Sequence, residues 1–327
     1  MQLCNASAAA VVVMGMSRSG TSLATSMIAA LLGNGAETTW RGSSRAYPKD
    51  AKNPLGYFER ADVVHLNYQL LRTLGTPWTT FQAGFVDRPF ALNSSSWQST
   101  RPGGSTFRAA FEGQAEPILA DMARHAPFVL KDVRFSRTLP LWGPLLAKRS
   151  GARYSGGSSG SGSSGSGSSG SGSSGSGSSG SGSVPRLACV IPFRDPAEVA
   201  LSSHAASSAL GRMRVWQAYL LAALASARAV RCPVLLVDYQ RWFTSSATQA
   251  AQLNELHGFL SCAGLTSRDR TAIPLLAKLV HPEQRHHISS AQKDAKPADV
   301  ACLLAALRSG AALNWNLGRG RRTPCAA

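Results

Sequence analysis

Four short runs of consecutive apolar residues do most to restrict the folds that this chain can adopt. The runs lie at positions 10–14, 128–130, 187–193 and 234–237. A strand that is covered on both faces of a sheet loses the alternation of polar and apolar residues, so these runs predict buried strands of a parallel sheet.

Segments rich in Ala and Leu separate these runs and predict helices. The predicted helices occupy positions 19–32, 117–124, 197–210, 214–230 and 247–262. Strands that alternate with helices are typical of α/β proteins. The sequence therefore predicts a three-layer α/β fold, with a central parallel sheet flanked by helices. Positions 76–105, which are rich in Gly, Pro, Ser and Trp, are expected to form loops around a site.

A run of 29 residues, positions 155–183, contains only Gly and Ser. Such a run buries no apolar side chain and behaves as a flexible coil. Strand-like segments lie on both sides of it, so we expect it to interrupt one domain as a surface loop. An insert of this size lowers the free energy of unfolding by only about 1–3 kcal/mol, because the entropy of loop closure grows only with the logarithm of loop length. The prediction is a single domain over 1–327 with an insert at 155–183.

The composition limits the partners and the compartment. A net charge of +17 predicts attraction to anions, although it does not predict any specific nucleic acid partner. No apolar stretch reaches the 18 residues of a membrane span, and no basic segment precedes the apolar run at 8–14, so neither an anchor nor a secretory signal is expected. The compartment itself is not predicted.

The six cysteines show neither a C-x-x-C pair nor zinc-ligand spacing with the histidines, so structural zinc is not expected. Cys189 and Cys232 lie in apolar, strand-like runs. We expect both to be buried thiols that pack as small apolar side chains.

The turn after the first apolar run, Gly15-Met-Ser-Arg-Ser-Gly-Thr-Ser22, is the most informative segment for function. Gly15 and Gly20 have the spacing of a phosphate-binding loop, in which backbone N–H groups and a helix N-terminus surround an anion. The lysine that follows the second glycine in nucleoside triphosphatases is replaced by Thr21, which argues against ATP or GTP hydrolysis. Arg18 instead offers a fork of donors suited to an oxyanion.

This turn resembles the 5′-phosphosulfate loop of sulfotransferases, in the Arg-Ser-Gly-Thr form of the carbohydrate and tyrosylprotein members. Further segments fit the same family in the right order. The first is 53–59 (Asn-Pro-Leu-Gly-Tyr-Phe-Glu) together with Asn67, and the second is 130–134 (Leu-Lys-Asp-Val-Arg), in which Val133 stands where proline is usual. The third, 194–202, resembles the 3′-phosphate-binding strand–turn–helix of the family. The fourth is 281–287.

The resemblance implies a phosphate-binding-loop fold and a donor, 3′-phosphoadenosine 5′-phosphosulfate, that is anionic at both ends. The 5′-phosphosulfate would be bound by the turn, through Gly15, Ser17, Arg18, Ser19, Gly20, Thr21 and Ser22. The 3′-phosphate would be bound by Arg194 and Ser202, which are eight residues apart as in the family. Asp195 is expected to cap a helix that begins at Pro196.

Sulfuryl transfer builds negative charge on the leaving oxygen, which a nearby cation stabilises. Arg18 and Lys131 are the candidates for this cation, and with both present no metal is expected. An acceptor hydroxyl also needs a general base, for which Glu59 is preferred. Glu37 and His65 are the alternative bases. If Glu59 is not the base, it would instead hold Arg60 or a backbone donor. If Lys131 is not catalytic, it would instead be a solvated lysine paired with Asp132.

The resemblance favours a carbohydrate hydroxyl as acceptor, ahead of a protein tyrosine or a small metabolite. Trp78, Phe81 and Trp97 are aromatic residues that suit a glycan, although they equally suit a core. Two other functions stay open at this point. One is a kinase or nucleotide-binding protein with a phosphate-binding loop, and the other is a non-catalytic protein that binds polyanions through its basic surface.

Overall fold

A computed structural model describes residues 10–33, 46–48, 56–73, 104–151, 187–202, 208–265, 276–277, 280, 296–315 and 325. Four strands form one parallel sheet: β1 (Ala10–Val13), β2 (Phe128–Lys131), β3 (Leu187–Phe193) and β4 (Val234–Asp238). Their order in the sheet is β2-β1-β3-β4. All four strands were predicted, and the predicted parallel sheet is confirmed.

Helices cover both faces of this sheet. In chain order they are α1 (Thr21–Leu32), α2 (Ala61–Thr73), α3 (Gly104–Ala123), α4 (Phe135–Gly151), α5 (Pro196–Ser202), α6 (Ala209–Ala229), α7 (Arg241–Thr244), α8 (Ser246–Cys262) and α9 (Ala298–Arg308), followed by a 3₁₀ turn at Ala311–Asn314. One face packs against α1 and α8, and the other packs against α2 to α6 and α9. The three-layer α/β fold predicted from the sequence is therefore confirmed.

The packing of β1 explains why its sequence does not alternate. Ala10 and Val12 belong to the core on the α6 side of the sheet, whereas Val11 and Val13 belong to the core on the α1 side. Successive side chains of a strand point to opposite faces, so a strand covered on both faces needs apolar residues at every position. The same two-sided burial accounts for the apolar runs of β2 and β3.

Three predicted helices have the wrong limits. The helix predicted at 197–210 ends at Ser202. The helix predicted at 214–230 begins at Ala209, where the side chain of Ser208 accepts a hydrogen bond from the Gly211 N–H (3.1 Å). The composition of this stretch hides the start of α6, where Ser208 is the N-cap.

The helix predicted at 117–124 begins at Gly104, so the end of the predicted loop region 76–105 is helical. Pro117 lies inside this helix, α3, although a proline removes one helical hydrogen bond. Burial of Phe111, Leu119 and Met122 against the core offsets that cost. Helices α2, α4, α7 and α9 were not predicted.

The expectation of buried thiols at Cys189 and Cys232 is wrong, because the two residues form a disulfide. Cys189 lies in β3 and Cys232 lies just before its neighbour β4, and this pairing brings their Cα atoms to 5.9 Å. That separation is within the range of disulfides, but the adjacency of the strands is not visible in the sequence. Cys302 and Cys325 form a second disulfide, and Cys262 is disulfide-bonded as well.

The Gly/Ser insert at 155–183 lies outside the described residues. Strands from both sides of it belong to one sheet, since β1 pairs with β3 from Ala10 opposite Leu187 to Val13 opposite Val190. No helix in the described part of the chain is long and apolar enough to cross a membrane.

Candidate functional site

The sheet order places a crevice at the carboxyl ends of β1 and β3. From β1 the chain continues to β2 on one side, and from β3 it continues to β4 on the other. Ligands of open α/β sheets bind at such a reversal, outside the carboxyl ends of the strands. The segments that follow the four strands begin at Met14, Asp132, Arg194 and Tyr239, and all four meet at this edge.

Two glycines shape the turn between β1 and α1. Gly15 has a φ of +140°, and a Cβ there would lie 3.0 Å from the carbonyl oxygen of Pro192. Its N–H donates to Ser136 Oγ (3.0 Å), so this amide holds the turn against the start of α4. Gly20 has a φ of +87°, and a Cβ there would overlap the ring of Tyr239. Both positions therefore require glycine.

Arg18, in the middle of the turn, has a left-handed φ of +67°, which costs a non-glycine residue about 1 kcal/mol. Its Nε donates a hydrogen bond to Ser202 Oγ (2.8 Å), and Ser202 is the last residue of α5. These two side chains were predicted to bind opposite ends of one nucleotide. The structure brings them into direct contact, so the two predicted anion sites are adjacent.

The other polar residues of the turn are buried or half-buried. Ser19 is fully buried, and its Oγ has no hydrogen-bond partner among the described residues. Thr21 begins α1 and is buried, whereas Ser17 and Ser22 are half-buried. No side chain of the described residues caps α1, and its first turn carries no acidic residue. An anion at this helix end would therefore be stabilised by the helix dipole.

Arg194 lies at the end of β3 and is only 3% exposed. Its Nε donates to Glu198 Oε2 (2.6 Å), and its guanidinium lies over the ring of Tyr239, 4.7 Å from the ring centroid. The predicted cap is confirmed, because Asp195 Oδ1 accepts from the Ala197 N–H (2.9 Å) and α5 begins at Pro196. Arg194 is thus a buried and oriented cation, not a surface charge.

Lys131 and Glu59, both predicted to be catalytic, form a buried ion pair. Lys131 Nζ donates to Glu59 Oε1 (2.6 Å) and to the carbonyl oxygen of Tyr57 (2.8 Å). Positive φ angles at Gly56 (+102°) and Phe58 (+55°) shape the segment that supplies both acceptors. Burial raises the pKa of the Glu59 carboxyl, and the nearby Lys131 ammonium offsets only part of this rise.

Asp132 does not pair with Lys131. Its carboxylate accepts from Asn67 Nδ2 (2.8 Å) and from Arg134 Nη1 (2.8 Å), and Asn67 Oδ1 in turn accepts from Trp142 Nε1 (2.8 Å). This network fixes the turn between β2 and α4. Lys131 is thereby directed to Glu59, which excludes the alternative of a solvated Lys131–Asp132 pair.

The three candidate bases differ in what the structure describes of them. Glu59 is buried beside Lys131. His65 is exposed on α2, where its Nε2 lies 2.8 Å from Gln69 Nε2. Glu37 lies outside the described residues, as do Trp78, Phe81, Trp97 and the segment 281–287. Of the two candidate bases that the structure describes, Glu59 is therefore the one in contact with a second predicted catalytic residue, Lys131.

Several residues of the site were not assigned from the sequence. Ser136 accepts a hydrogen bond from Gly15, and Tyr239 contacts both Gly20 and Arg194. Arg137 is only 2% exposed, and its guanidinium lies 5.1 Å from the centroid of the Tyr219 ring. Burial lowers the pKa of Arg137 and raises the pKa of the Tyr219 hydroxyl. A usable signal existed for Tyr239, because it lies two residues after the fourth apolar run, where the chain leaves the carboxyl end of a predicted strand.

Within the part of the chain that the structure describes, buried cations outnumber buried acids around this edge of the sheet. The cations are Lys131, Arg134, Arg137 and Arg194, and the acids are Glu59, Asp132 and Glu198. Among the described residues there is no group of three or more His, Cys, Asp or Glu side chains that could hold a metal ion. The arrangement suits an anionic ligand.

No family model, curated protein or solved structure matches this chain. The function proposed below therefore depends on the sequence motifs and on the geometry of the described residues.

Proposed function

We propose that the protein is a sulfotransferase that moves a sulfuryl group from 3′-phosphoadenosine 5′-phosphosulfate to an acceptor hydroxyl, that of a carbohydrate by preference. The hydrogen bond between Arg18 Nε and Ser202 Oγ is the observation that carries the proposal. It joins the turn after β1 to the helix after β3 at the point where the sheet order reverses. One ligand with two anionic groups can engage both segments there.

The donor suits the polar groups of this crevice. Its 5′-phosphosulfate would be held by the turn 15–20, Arg18 and the first turn of α1, and the buried Ser19 hydroxyl would gain an acceptor. Its 3′-phosphate would be held by Arg194 and Ser202. The ring of Tyr239 lies against both Gly20 and Arg194, so the two groups of ligand-binding residues are separated by little more than one aromatic ring.

The chemistry assigned to these residues is a single displacement at sulfur. The acceptor oxygen forms a bond to sulfur while the bond between sulfur and the 5′-phosphate oxygen breaks, and the leaving bisphosphate keeps that electron pair. The acceptor proton passes to Glu59 through Oε2, since Oε1 is bonded to Lys131. Arg18 and Lys131 stabilise the charge that develops on the leaving oxygen. Metal chemistry plays no part in this scheme.

The decisive experiment combines nucleotide binding with transfer. Calorimetry with adenosine 3′,5′-bisphosphate should show binding, and labelled donor should transfer sulfate to one class in a panel of glycans, tyrosine peptides and small alcohols. Arg18→Ala should abolish transfer, and Arg194→Ala should chiefly weaken bisphosphate binding. Arg108→Ala is the matched control, because Arg108 is exposed on α3 and pairs with Glu112.

Two other outcomes would assign a different function. Magnesium-dependent binding of ATP, without binding of the bisphosphate, would favour a kinase or nucleotide-binding protein. Salt-sensitive binding to heparin or DNA that survives Arg18→Ala would favour a polyanion-binding protein. Full transfer activity in both the Arg18→Ala and Arg194→Ala variants would contradict the assignment of these residues.

A further inference from the structure

Tyr239 occupies a position between the two halves of the candidate site. It follows β4 directly, its N–H donates to the carbonyl oxygen of Phe193 (2.8 Å), and its side chain is buried. One part of the ring lies against Gly20, so closely that no Cβ fits there. The guanidinium of Arg194 lies over the ring, 4.7 Å from its centroid. The ring therefore contacts both the turn and Arg194, the residue predicted to bind the 3′-phosphate.

Two independent contacts with described residues restrain the guanidinium of Arg194. Glu198 Oε2 accepts from Nε, which fixes one edge of the group, and the Tyr239 ring fixes its plane. Glu198 is itself held, because its Oε1 accepts from Gln240 Nε2 (3.2 Å), and Gln240 Oε1 accepts from Arg308 Nη2 (2.6 Å). With one edge and the plane fixed, the terminal nitrogens keep one direction.

We propose that Tyr239 is a positioning residue that holds Arg194 in the orientation needed for a 3′-phosphate, and that it thereby sets the preference of the site for adenosine 3′,5′-bisphosphate over adenosine 5′-phosphate. The inference rests on the proposed function, because it takes the bisphosphate as the ligand. An unrestrained arginine loses side-chain entropy when it is ordered, and a guanidinium that is already restrained avoids much of this cost on binding.

The test compares the affinities of two nucleotides that differ only in the 3′-phosphate. Calorimetry gives the dissociation constants of adenosine 3′,5′-bisphosphate and adenosine 5′-phosphate for each variant, and their ratio is the readout. Tyr239→Leu should lower the preference about tenfold, as expected for loss of a partly desolvated cation–π contact. Tyr239→Phe keeps the ring and should keep the preference. Phe243→Leu, which removes a ring in tilted contact with Tyr239 (centroids 5.0 Å apart), is the control and should also keep the preference.

A double-mutant cycle separates positioning from packing. In an Arg194→Ala background, Tyr239→Leu should leave the remaining preference unchanged, since no guanidinium is left to orient. Equal weakening of both nucleotides by Tyr239→Leu would instead show that the ring acts only by packing against Gly20, and would overturn the proposal. The proposal would also be overturned if Phe243→Leu lowered the preference for the bisphosphate as much as Tyr239→Leu does.

The fold of each variant is checked by its unfolding transition, and Tyr239→Met replaces Tyr239→Leu if the latter does not fold. A wild-type protein that does not bind the bisphosphate at all would refute the proposed function, and this inference with it. A wild-type protein that binds it, with a preference unaltered by loss of the ring, would refute this inference alone.

Discussion

Among the described residues, two of the buried ion pairs at the carboxyl edge of the sheet resemble each other closely. Arg194 Nε and Glu198 Oε2 are 2.6 Å apart, as are Lys131 Nζ and Glu59 Oε1. Each cation also lies near an aromatic ring, Arg194 over Tyr239 and Lys131 at 5.7 Å from the centroid of Tyr57. Their difference lies in how the partners are brought together.

The Arg194–Glu198 pair is local, because the two residues are four apart at the start of α5, and Gln240 Nε2 provides the carboxylate with a second donor. The Lys131–Glu59 pair joins residues 72 apart in the chain, and its acid comes from a segment with positive φ angles. An arginine keeps its charge under all ordinary conditions, whereas a buried glutamate can exchange its proton. The first pair therefore suits constant anion binding, and the second suits proton transfer.

Breaking the long-range pair should have the largest effect on stability. Lys131→Met leaves the Glu59 carboxylate buried without its cation, and we expect unfolding in urea at neutral pH to show a loss of about 3–5 kcal/mol. The double variant Lys131→Met/Glu59→Gln should recover most of that loss, because it removes both charges. A loss below about 1 kcal/mol in the single variant would mean that the pair is not buried as described.

Breaking the local pair should cost less. Arg194→Met leaves Glu198 with the hydrogen bond from Gln240 Nε2, so we expect a loss of about 1–3 kcal/mol in the same unfolding assay. Arg194→Met/Gln240→Leu, which removes the two donors to Glu198 that lie among the described residues, should lose more stability than the sum of the two single variants. Equal losses for Lys131→Met and Arg194→Met would remove the distinction between the two pairs.

The raised pKa of Glu59 makes a prediction about pH. A general base works in its ionised form, so transfer should fall as the pH falls through the pKa of Glu59, and this fall should begin at a higher pH than for an ordinary glutamate with a pKa near 4.5. Below that point kcat/KM should drop about tenfold for each pH unit, a change of about 1.4 kcal/mol. Glu59→Gln should lower the rate and abolish this limb of the profile, while Arg194→Met should retain it.

An exposed ion pair gives the smallest expected effect and calibrates the other measurements. Arg241 and Glu255 are 2.8 Å apart, but their side chains are 36% and 47% exposed. Arg241→Ala should therefore cost less than about 1 kcal/mol, and added salt should reduce even that difference. A loss of stability as large as that of Arg194→Met would show that burial does not account for the difference between the exposed and the buried ion pairs.

Strand prediction succeeded for a simple physical reason. The runs at 10–14 and 187–193 are apolar at every position because both faces of their strands are covered, and no other requirement competes with that pattern. Helix limits were harder to predict, since the start of α6 depends on one capping hydroxyl, that of Ser208. The Cys189–Cys232 disulfide was missed because it depends on which strands are neighbours.

The sequence alone determined the α/β class, the glycine-bounded turn, and the capped helix after Arg194, because each depends on residues close together in the chain. Only the tertiary structure decided that Arg18 meets Ser202, that Lys131 pairs with Glu59 instead of Asp132, and that Tyr239 lies between Gly20 and Arg194. These contacts join segments that are far apart in the chain. They depend on the order of the strands, which local patterns of apolar and polar residues do not encode.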